Sequence, residues 1–421
     1  MPDLDLIGIG VGPANLSLAA LSAPLTEVRA EFLETGSEFR WHPGLMLPDS
    51  QLTVTYFRDL VTLVDPTSRF SFLNFIVQEG RAFRFLEANG LSCSRREFEQ
   101  YYQWAAAQLP SIRWNKRVES VSITDDGFQV TTGGGESRTA KTLVLGSGSE
   151  PRLPDFAKPF EGGRVLHSSN MATALPEWRD RRVVVVGAGQ SGAEIVNHML
   201  ADEHNLPASL TWTSSKAGFQ PLDDSPFNNE WFSVKYVDHF TSLPAARRAE
   251  IVREQRDAGG DGITDQLVAS IYQRLYHLDY VLGSGLRHRL LTHRRAVGLE
   301  QDGDQYTVAL NDLNHDAVEQ VPADLVIFCT GYRAGIPEYL KPLQDQLPVE
   351  DGRFRIRPDY SLDWTRPDGL RIYAQSFGEY SHGLNDTVLS LGAWRSAQII
   401  NSVLGREVYR TDAGTTTVAW Q

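Results

Sequence analysis

The sequence predicts an α/β protein with two strand–turn–helix units and a small helical region, and two observations predict this class. A short apolar strand, a glycine-rich turn and a helix follow one another at the N-terminus, and the same order recurs about 180 residues later. Between the second unit and residue 291, the stretch "LPAARRAEIVREQRDAGGDGITDQLVASIYQRLYHLDYVL" is helical in period with a glycine break in its middle.

The first glycine-rich turn lies in "LDLIGIGVGPANLSLAALS". Gly8, Gly10 and Gly12 would let backbone N–H groups approach a pyrophosphate, which the positive end of the following helix would face. Pro13 stands where a last glycine is expected, and proline is tolerated at the first position of a helix. The next apolar segment ends at Glu34, at the distance expected for a carboxylate that binds the hydroxyls of an adenosine ribose.

The second turn lies in "RRVVVVGAGQSGAEIVNHML" and has the complete G-x-G-x-x-G pattern at Gly187, Gly189 and Gly192. Gln190 and Ser191 stand inside the pattern, and we expect them to take part in cofactor binding. Either turn alone could be an ordinary strand–helix turn. Two turns in the same context favour two Rossmann-like dinucleotide-binding domains, one for a flavin dinucleotide and one for a nicotinamide dinucleotide.

The second dinucleotide is predicted to be NADPH. The strand "SLTWTSS" ends without an acid, and Ser214, Ser215 and Lys216 follow it. Hydroxyl and ammonium groups suit the 2′-phosphate that distinguishes NADPH from NADH.

Two later segments each combine an apolar strand with glycines, namely "AKTLVLGSGSEPRLP" and "ADLVIFCTGYRAGIP". Each could be an ordinary strand end followed by a turn. As an ordered pair they are typical of the crossings between domains in flavoproteins with two dinucleotide sites, so we expect Thr330, Gly331 and Tyr332 to lie near a cofactor.

Composition excludes several classes of protein. A net charge of −13 argues against a nucleic-acid partner, and the N-terminus lacks the basic region of a signal peptide and the length of a membrane span. Cys93 and Cys329 are the only cysteines, which argues against a disulfide framework, a zinc site or a redox C-x-x-C pair. We therefore expect a cytoplasmic protein without a metal site.

Four blocks, taken together, resemble the N-hydroxylating flavin monooxygenases of siderophore biosynthesis. The blocks are "FRWHPGLMLPDSQLTVTYFRDLVTLVDPTSRFSFLNF" (39–75), "FNNEWF" (227–232), "CTGY" (329–332) and "SHGLNDTVLSLGAWRS" (381–396). That family includes lysine N6- and ornithine N5-monooxygenases and relatives that act on diamines. The resemblance spans nearly the whole chain, and the blocks occur in order.

The resemblance implies three parts. An FAD-binding domain would comprise residues 1–165 and 322–421, and an NADPH-binding domain residues 166–217 and 292–321. A helical substrate-binding region would occupy residues 218–291. The resemblance also implies a homo-oligomer, a dimer or a tetramer.

The implied reaction is hydroxylation of a terminal primary amine with O₂ through a C4a-hydroperoxyflavin, which supplies a hydroxylamine for a hydroxamate siderophore. Because the flavin performs the oxygen chemistry, we expect no catalytic side chain. The protein must exclude water and keep the amine neutral near neutral pH. By the same resemblance, Trp41, His42, Asn385 and Asp386 would lie beside the flavin, although core packing, a structural histidine and helix capping are their alternatives.

Four residues are expected to contact the substrate. Arg58 stands where lysine- and ornithine-acting relatives have a lysine that pairs with the substrate carboxylate, although a surface ion pair with Asp59 or Asp65 is its alternative. Thr53 replaces a usual glutamine, Asn229 matches a substrate-holding asparagine, and Asp261 replaces an asparagine of the ornithine enzymes. Arg58 and Asp261 favour L-lysine, whereas the C-terminal block resembles the ornithine type. L-lysine is therefore the first candidate, a diamine (putrescine, cadaverine or diaminopropane) the second and L-ornithine the third.

Two other classes stay open at this point. One is a different flavoprotein with two dinucleotide sites, such as a Baeyer–Villiger monooxygenase or a disulfide reductase. The other is an inactive nucleotide-binding redox sensor.

Overall fold

The computed structural model describes residues 2–256, 261–366, 369–412 and 414–420, so the predicted glycine break at 259–260 lies outside the described residues. The strands, in chain order, are β1 (Leu4–Ile9), β2 (Ala30–Leu33), β3 (Ile112–Arg113), β4 (Val118–Thr124), β5 (Gly127–Thr132), β6 (Ser137–Leu145), β7 (Glu150–Pro151), β8 (Val165–His167), β9 (Arg182–Val186), β10 (Ser209–Thr213), β11 (Arg287–Leu291), β12 (Arg294–Asp302), β13 (Gln305–Asp312), β14 (Ala317–Ala323), β15 (Leu325–Phe328), β16 (Tyr332–Arg333), β17 (Val349–Glu350), β18 (Arg353–Phe354) and β19 (Arg371–Ala374).

The α-helices are α1 (Pro13–Ser22), α2 (Phe72–Gln78), α3 (Ala82–Asn89), α4 (Arg95–Ala107), α5 (Met171–Ala174), α6 (Gln190–Ala201), α7 (Pro226–Asn229), α8 (Val234–Ser242), α9 (Ala245–Gln255), α10 (Asp265–Tyr276), α11 (Glu379–His382) and α12 (Gly392–Leu404). Short 3₁₀ segments and a π-helical turn at His277–Val281 connect several of them. In the described part of the chain, no helix is long and apolar enough to cross a membrane.

The first sheet has the strand order β3–β2–β1–β6–β5–β4, and β19 pairs with β6. Strands β1, β2, β6 and β19 run parallel, whereas β4, β5 and β6 form an antiparallel meander. Strand β1 is apolar and buried over its last four residues, as expected for a parallel strand covered on both faces. Helices α1 and α12 pack together, so both ends of the chain build this part of the molecule.

The second sheet is parallel and has the order β11–β10–β9–β15–β8. Strands β11 and β15 belong to it, although the sequence placed residues 287–291 in the helical region and residues 325–328 in the FAD-binding domain. An apolar strand such as "LVIF" could pair within either sheet, and only the fold decides which sheet it joins. The division of the chain into three domains remains a prediction.

An aromatic core packs around residues 39–75, the segment that follows β2. Its rings come from α2 and α4 and from the loop before them, and Phe72 contacts Tyr56, Phe98 and Tyr101 at centroid separations of 5.1–5.4 Å. Such ring pairs prefer offset-stacked or edge-to-face arrangements over a face-to-face sandwich. The block at residues 39–75 is thereby held against α4.

Candidate functional site

The first glycine turn is open where a ligand would approach. A Cβ on Gly8 would lie 2.3 Å from the Phe32 ring, and one on Gly10 (φ +83°) would lie 2.7 Å from the Gly146 carbonyl oxygen. A Cβ on Gly12, by contrast, would have no protein atom closer than 3.9 Å. Gly12 caps α1 without a side-chain hydrogen bond, and Pro13 takes the first helical position as predicted. The first N–H groups of α1 are therefore available to an anion.

Glu34 lies beside this turn, directly after β2. Its Oε2 accepts a bond from the N–H of Val11 (2.7 Å), and its Oε1 accepts one from the N–H of Gly36 (2.8 Å). Each carboxylate oxygen has a second lone pair, so Glu34 can still accept bonds from ribose hydroxyls.

A buried polar network links the first turn to the C-terminal block, and sequence reasoning missed most of it. Asn15 donates to the carbonyl of Gly10 (2.8 Å) and accepts from Gln375 (2.8 Å). Gln375 accepts from Arg395 (3.0 Å), and Arg395 forms an ion pair with Asp386. Of these side chains only Asp386 had been singled out, and the pairing of Asn15 with Gln375 spans 360 residues, which local sequence does not indicate. The described contacts of Asp386 are with protein groups, so its support of the flavin site would act through this network.

Asn385, next to Asp386, has an unsatisfied oxygen. Its Nδ2 donates to the carbonyl of Trp231 (2.6 Å), in the "FNNEWF" block. Its Oδ1 is buried without a hydrogen-bond partner, although the residue is only 2 % exposed. Because leaving a buried acceptor unpaired costs about 1–3 kcal/mol, this atom points to a donor that a ligand would supply.

The second glycine turn has the same construction. A Cβ on Gly187 (φ +118°) would lie 2.2 Å from the Cys329 carbonyl oxygen, and one on Gly192 would lie 2.2 Å from the Gly187 carbonyl oxygen. Near Gly189 the closest protein atom would be the Asp261 carbonyl oxygen, at 3.8 Å. Gly189 caps α6 without a side-chain hydrogen bond, so this helix too presents free N–H groups.

Gln190 opens α6, but its side chain is used by the protein. Its Oε1 accepts from the N–H of Thr264 (3.0 Å), and its Nε2 donates to Glu194 (2.9 Å). The side chain of Gln190 is therefore held by protein groups, because the fold brings the start of α10 against this turn. A part for Gln190 in cofactor binding stays a prediction. Ser191 lies in the first turn of α6, where its backbone N–H faces the open end of the helix.

The loop after β10 brings together residues that the sequence had assigned to two different sites. Ser214 is buried and accepts a bond from the N–H of Lys216 (3.1 Å), whereas Ser215 is exposed. The Lys216 ammonium lies 3.7 Å from the carboxylate of Asp261. Asp261 was predicted to contact the substrate amine. Its backbone carbonyl lies beside Gly189 of the second glycine turn, and a contact with the amine stays a prediction.

The two predicted crossings form one ribbon. Strands β7 and β16 pair, and Thr330 donates through Oγ1 to the Arg152 carbonyl. The carbonyl of Gly331 is within 3.1 Å of His167 Nε2, and the Tyr332 ring lies edge-on to His167 at 5.5 Å. These contacts hold together the two chain segments that cross between the sheets.

His42 lies on the other side of Tyr332, with ring centroids 6.1 Å apart. Its side chain is accessible, yet the surrounding protein desolvates it and lowers its pKa, and the nearby Arg95 charge lowers the pKa further. Burial raises the pKa of Tyr332. The surroundings of both residues therefore disfavour their charged forms.

Trp41 packs into the aromatic core, at 6.0 Å from Phe98 and 5.5 Å from Tyr102. Its backbone N–H donates to Glu99 (2.7 Å). Core packing, one of the two interpretations from the sequence, accounts for these contacts, and a position beside the flavin stays a prediction.

Arg58 has no carboxylate partner among the described residues. Its Nη1 donates to the Ser390 hydroxyl, in the C-terminal block, and burial lowers its pKa. Asp59 is occupied by the backbone N–H groups of Val61, Thr62 and Phe72, so the alternative of a surface ion pair with Asp59 is wrong. A half-buried guanidinium without an anion is a receptor for one.

The other two predicted substrate residues are exposed. Asn229 uses its amide locally and donates to the Asp224 carbonyl (2.6 Å). Thr53 precedes Arg58 in the same loop, and the structure shows no contact that decides its role.

The sequence matches the family described as L-lysine 6-monooxygenase/L-ornithine 5-monooxygenase over residues 3–334. It is 34 % identical to the L-lysine N6-monooxygenase of Escherichia coli over 421 residues, which cover 99 % of this chain and 98 % of that protein. It is 33 % identical to a putrescine N-hydroxylase of Shewanella oneidensis, over 96 % of this chain and 82 % of the relative.

Two solved structures share the fold over almost their full length. One is the cadaverine monooxygenase of the desferrioxamine pathway of Erwinia amylovora, bound to FAD, with a TM-score of 0.92, 31 % identity and 99 % coverage of both chains. The other is the ornithine N-hydroxylase of Kutzneria sp. 744 with reduced FAD, NADP⁺ and L-ornithine, with a TM-score of 0.89, 27 % identity and coverage of 96 % of this chain and 99 % of that chain.

Proposed function

The chain belongs to the L-lysine 6-monooxygenase/L-ornithine 5-monooxygenase family, and we propose that it uses FAD, NADPH and O₂ to hydroxylate the terminal amine of L-lysine. Its product would be a hydroxylamine for a hydroxamate siderophore. A dimer or a tetramer is part of the same proposal.

The residues present fit both dinucleotides. At each glycine turn, one glycine leaves room for a pyrophosphate, and the following helix starts without a side-chain cap. Glu34 would hold the ribose of FAD at the first turn. Ser214, Ser215 and Lys216 would hold the 2′-phosphate of NADPH at the second, and Asp261 would hold Lys216 in place.

The protein itself would position the substrate and the cofactors and would exclude water from the reacting groups. Bound FAD, reduced by NADPH, supplies the activation of O₂. The unpaired Asn385 Oδ1 would accept a hydrogen bond from a bound ligand. The environment of His42 and Tyr332 disfavours charge, which would help keep an amine neutral and therefore nucleophilic.

Arg58 is the observation that carries the choice of L-lysine. Arg58 belongs to the 39–75 block, donates a hydrogen bond to Ser390 of the C-terminal block, and has no anionic partner among the described residues. A substrate carboxylate would supply that anion in a bidentate pair. Holding the carboxylate at Arg58 would leave the far amine of the substrate free to reach the oxidant.

The test compares L-lysine with cadaverine, which differs from it only by the carboxylate. Hydroxylated product is measured by mass spectrometry for the native chain and for Arg58→Met, because NADPH consumption alone also reports unproductive oxidation. A charge-assisted pair contributes about 1.5–3 kcal/mol, so Arg58→Met should lower kcat/KM for L-lysine about 10–100-fold and leave that for cadaverine nearly unchanged. Arg58→Lys is the matched control and should retain most activity on L-lysine.

A diamine is the second candidate, and the similarity to the cadaverine monooxygenase favours it. If the native chain hydroxylates cadaverine or putrescine but not L-lysine, the assignment of Arg58 is wrong. Hydroxylation of L-ornithine in preference to both would favour the third candidate.

A further inference from the structure

A buried ion pair lies just behind the second glycine turn. It joins the first part of the molecule, built around the first sheet, to the part built around the second sheet. Arg95 begins α4, which packs against the first part, and Glu194 lies on α6. Arg95 Nη1 donates to Glu194 Oε2 at 2.9 Å, and Nη2 donates to Oε1 at 2.6 Å. The two side chains are only 18 % and 7 % exposed. A bidentate pair in such surroundings fixes orientation as well as distance.

The Glu194 carboxylate has further partners that extend this connection. Gln190 Nε2 donates to Oε1 (2.9 Å), and the other end of the Gln190 amide accepts from the N–H of Thr264, at the start of α10. Ser50 lies at the edge of hydrogen-bond distance from Oε2 (3.5 Å). One carboxylate therefore connects the first part, the second glycine turn and the helical region.

Arg95 lies near enough to His42 and Tyr332 for its charge to affect the pKa of both. The rings of His42 and Tyr332 are 6.1 Å apart between centroids. The ion pair is therefore near these two rings as well as near the first turn of α6, where a nucleotide would be held by its phosphates.

We propose that the Arg95–Glu194 pair positions α6 for hydride transfer, an inference that rests on the proposed function. In that step the C4–H bond of the nicotinamide breaks, and the hydride passes with its electron pair to N5 of the flavin, which gives NADP⁺ and the reduced flavin anion. Donor and acceptor must approach to about 3–3.5 Å, and a misplacement of about 1 Å can slow a reaction about 100-fold. A small rotation of α6 would displace the nicotinamide ring by a larger distance, because the ring would lie far from the helix axis. Arg95 and Glu194 are positioning residues, since they act through this helix.

The first variant is Glu194→Gln, which keeps the shape of the side chain and removes its charge. We expect the rate constant for anaerobic flavin reduction at saturating NADPH to fall about 10–100-fold. The Kd for NADPH should stay within about threefold, because the glycine turn itself is unchanged. In the chain without NADPH, hydrogen exchange should become faster at the first turns of α4 and α6 and stay unchanged in β9.

The matched control is Asp324→Asn. It breaks another bidentate arginine–carboxylate pair, Arg182–Asp324 (2.6 and 3.0 Å), which lies within the second sheet. This control should reduce its flavin at the native rate. Reversing the pair, with Arg95→Glu and Glu194→Arg together, should recover part of the rate lost in Glu194→Gln.

Several outcomes overturn the inference. They are a native reduction rate in Glu194→Gln, an NADPH Kd that rises by the factor by which the rate falls, and an equal loss of rate in Asp324→Asn. If Glu194→Gln does not fold, Arg95→Lys takes its place, because it keeps the charge but loses the bidentate fork. Arg95→Lys must then lower the rate constant for flavin reduction and leave the Kd for NADPH nearly unchanged. If NADPH does not reduce the native flavin at all, the proposed function fails, and unchanged exchange at α4 and α6 would then separately refute the coupling of these helices.

Discussion

Replacing Gly189 with alanine is expected to separate nucleotide binding from folding. Gly189 has φ −95° and ψ −175°, extended backbone that alanine adopts without strain, and the new methyl group would lie 3.8 Å from the nearest protein atom. The loss of glycine at the helix cap destabilises the folded chain, whereas the lower entropy of the unfolded chain stabilises it. Each effect is about 1 kcal/mol or less. The free energy of unfolding should therefore change by less than about 1 kcal/mol.

The same methyl group would stand between the pyrophosphate and the N–H groups of α6. We expect the Kd for NADPH to rise at least about tenfold, or about 1.4 kcal/mol, with the FAD content unchanged. Gly187→Ala is the contrasting variant. Its Cβ would lie 2.2 Å from the Cys329 carbonyl oxygen at φ +118°, so it should lose about 2–4 kcal/mol of unfolding free energy.

Both variants are measured by urea denaturation, by flavin absorbance per chain and by NADPH titration. Native NADPH affinity in Gly189→Ala would show that no pyrophosphate approaches this turn. Loss of FAD in the same variant would show that the two turns have been assigned to the wrong dinucleotides.

Three further predictions concern the first turn and its support. Gly10→Ala places a methyl group 2.7 Å from the Gly146 carbonyl oxygen and should lower FAD retention, measured by absorbance after gel filtration; full retention would count against the first turn as the flavin site. Asp386→Asn leaves the buried Arg395 guanidinium without its anion and should cost about 3–5 kcal/mol of unfolding free energy, measured with urea, and a loss under about 1 kcal/mol would contradict the network. Burial lowers the pKa of His382 to about 4, so the unfolded chain takes up a proton that the folded chain refuses. The free energy of unfolding should therefore fall as the pH falls from about 6.5 to about 4, by up to about 3 kcal/mol, and His382→Gln should flatten this dependence; an unchanged slope would exclude His382 as its source.

Much of the candidate site could be predicted from local sequence. The open positions at Gly12 and Gly189, the proline at the first position of α1 and the place of Glu34 all follow from residues close together in the chain. The contacts of Gln190 and Asp261 could not be predicted, because each depends on a segment that returns from elsewhere in the fold.

The sequence alone determined the class of the protein, because glycine turns between apolar strands and helices are local patterns that only a few backbone conformations satisfy. The tertiary structure decided which strands joined which sheet and which charged groups found partners. Asn15 meets Gln375 across 360 residues and Arg95 meets Glu194 across 99, whereas Arg58 meets no carboxylate in the described chain. Local sequence does not encode such pairings, since the free energy of a buried charge depends on every segment packed around it.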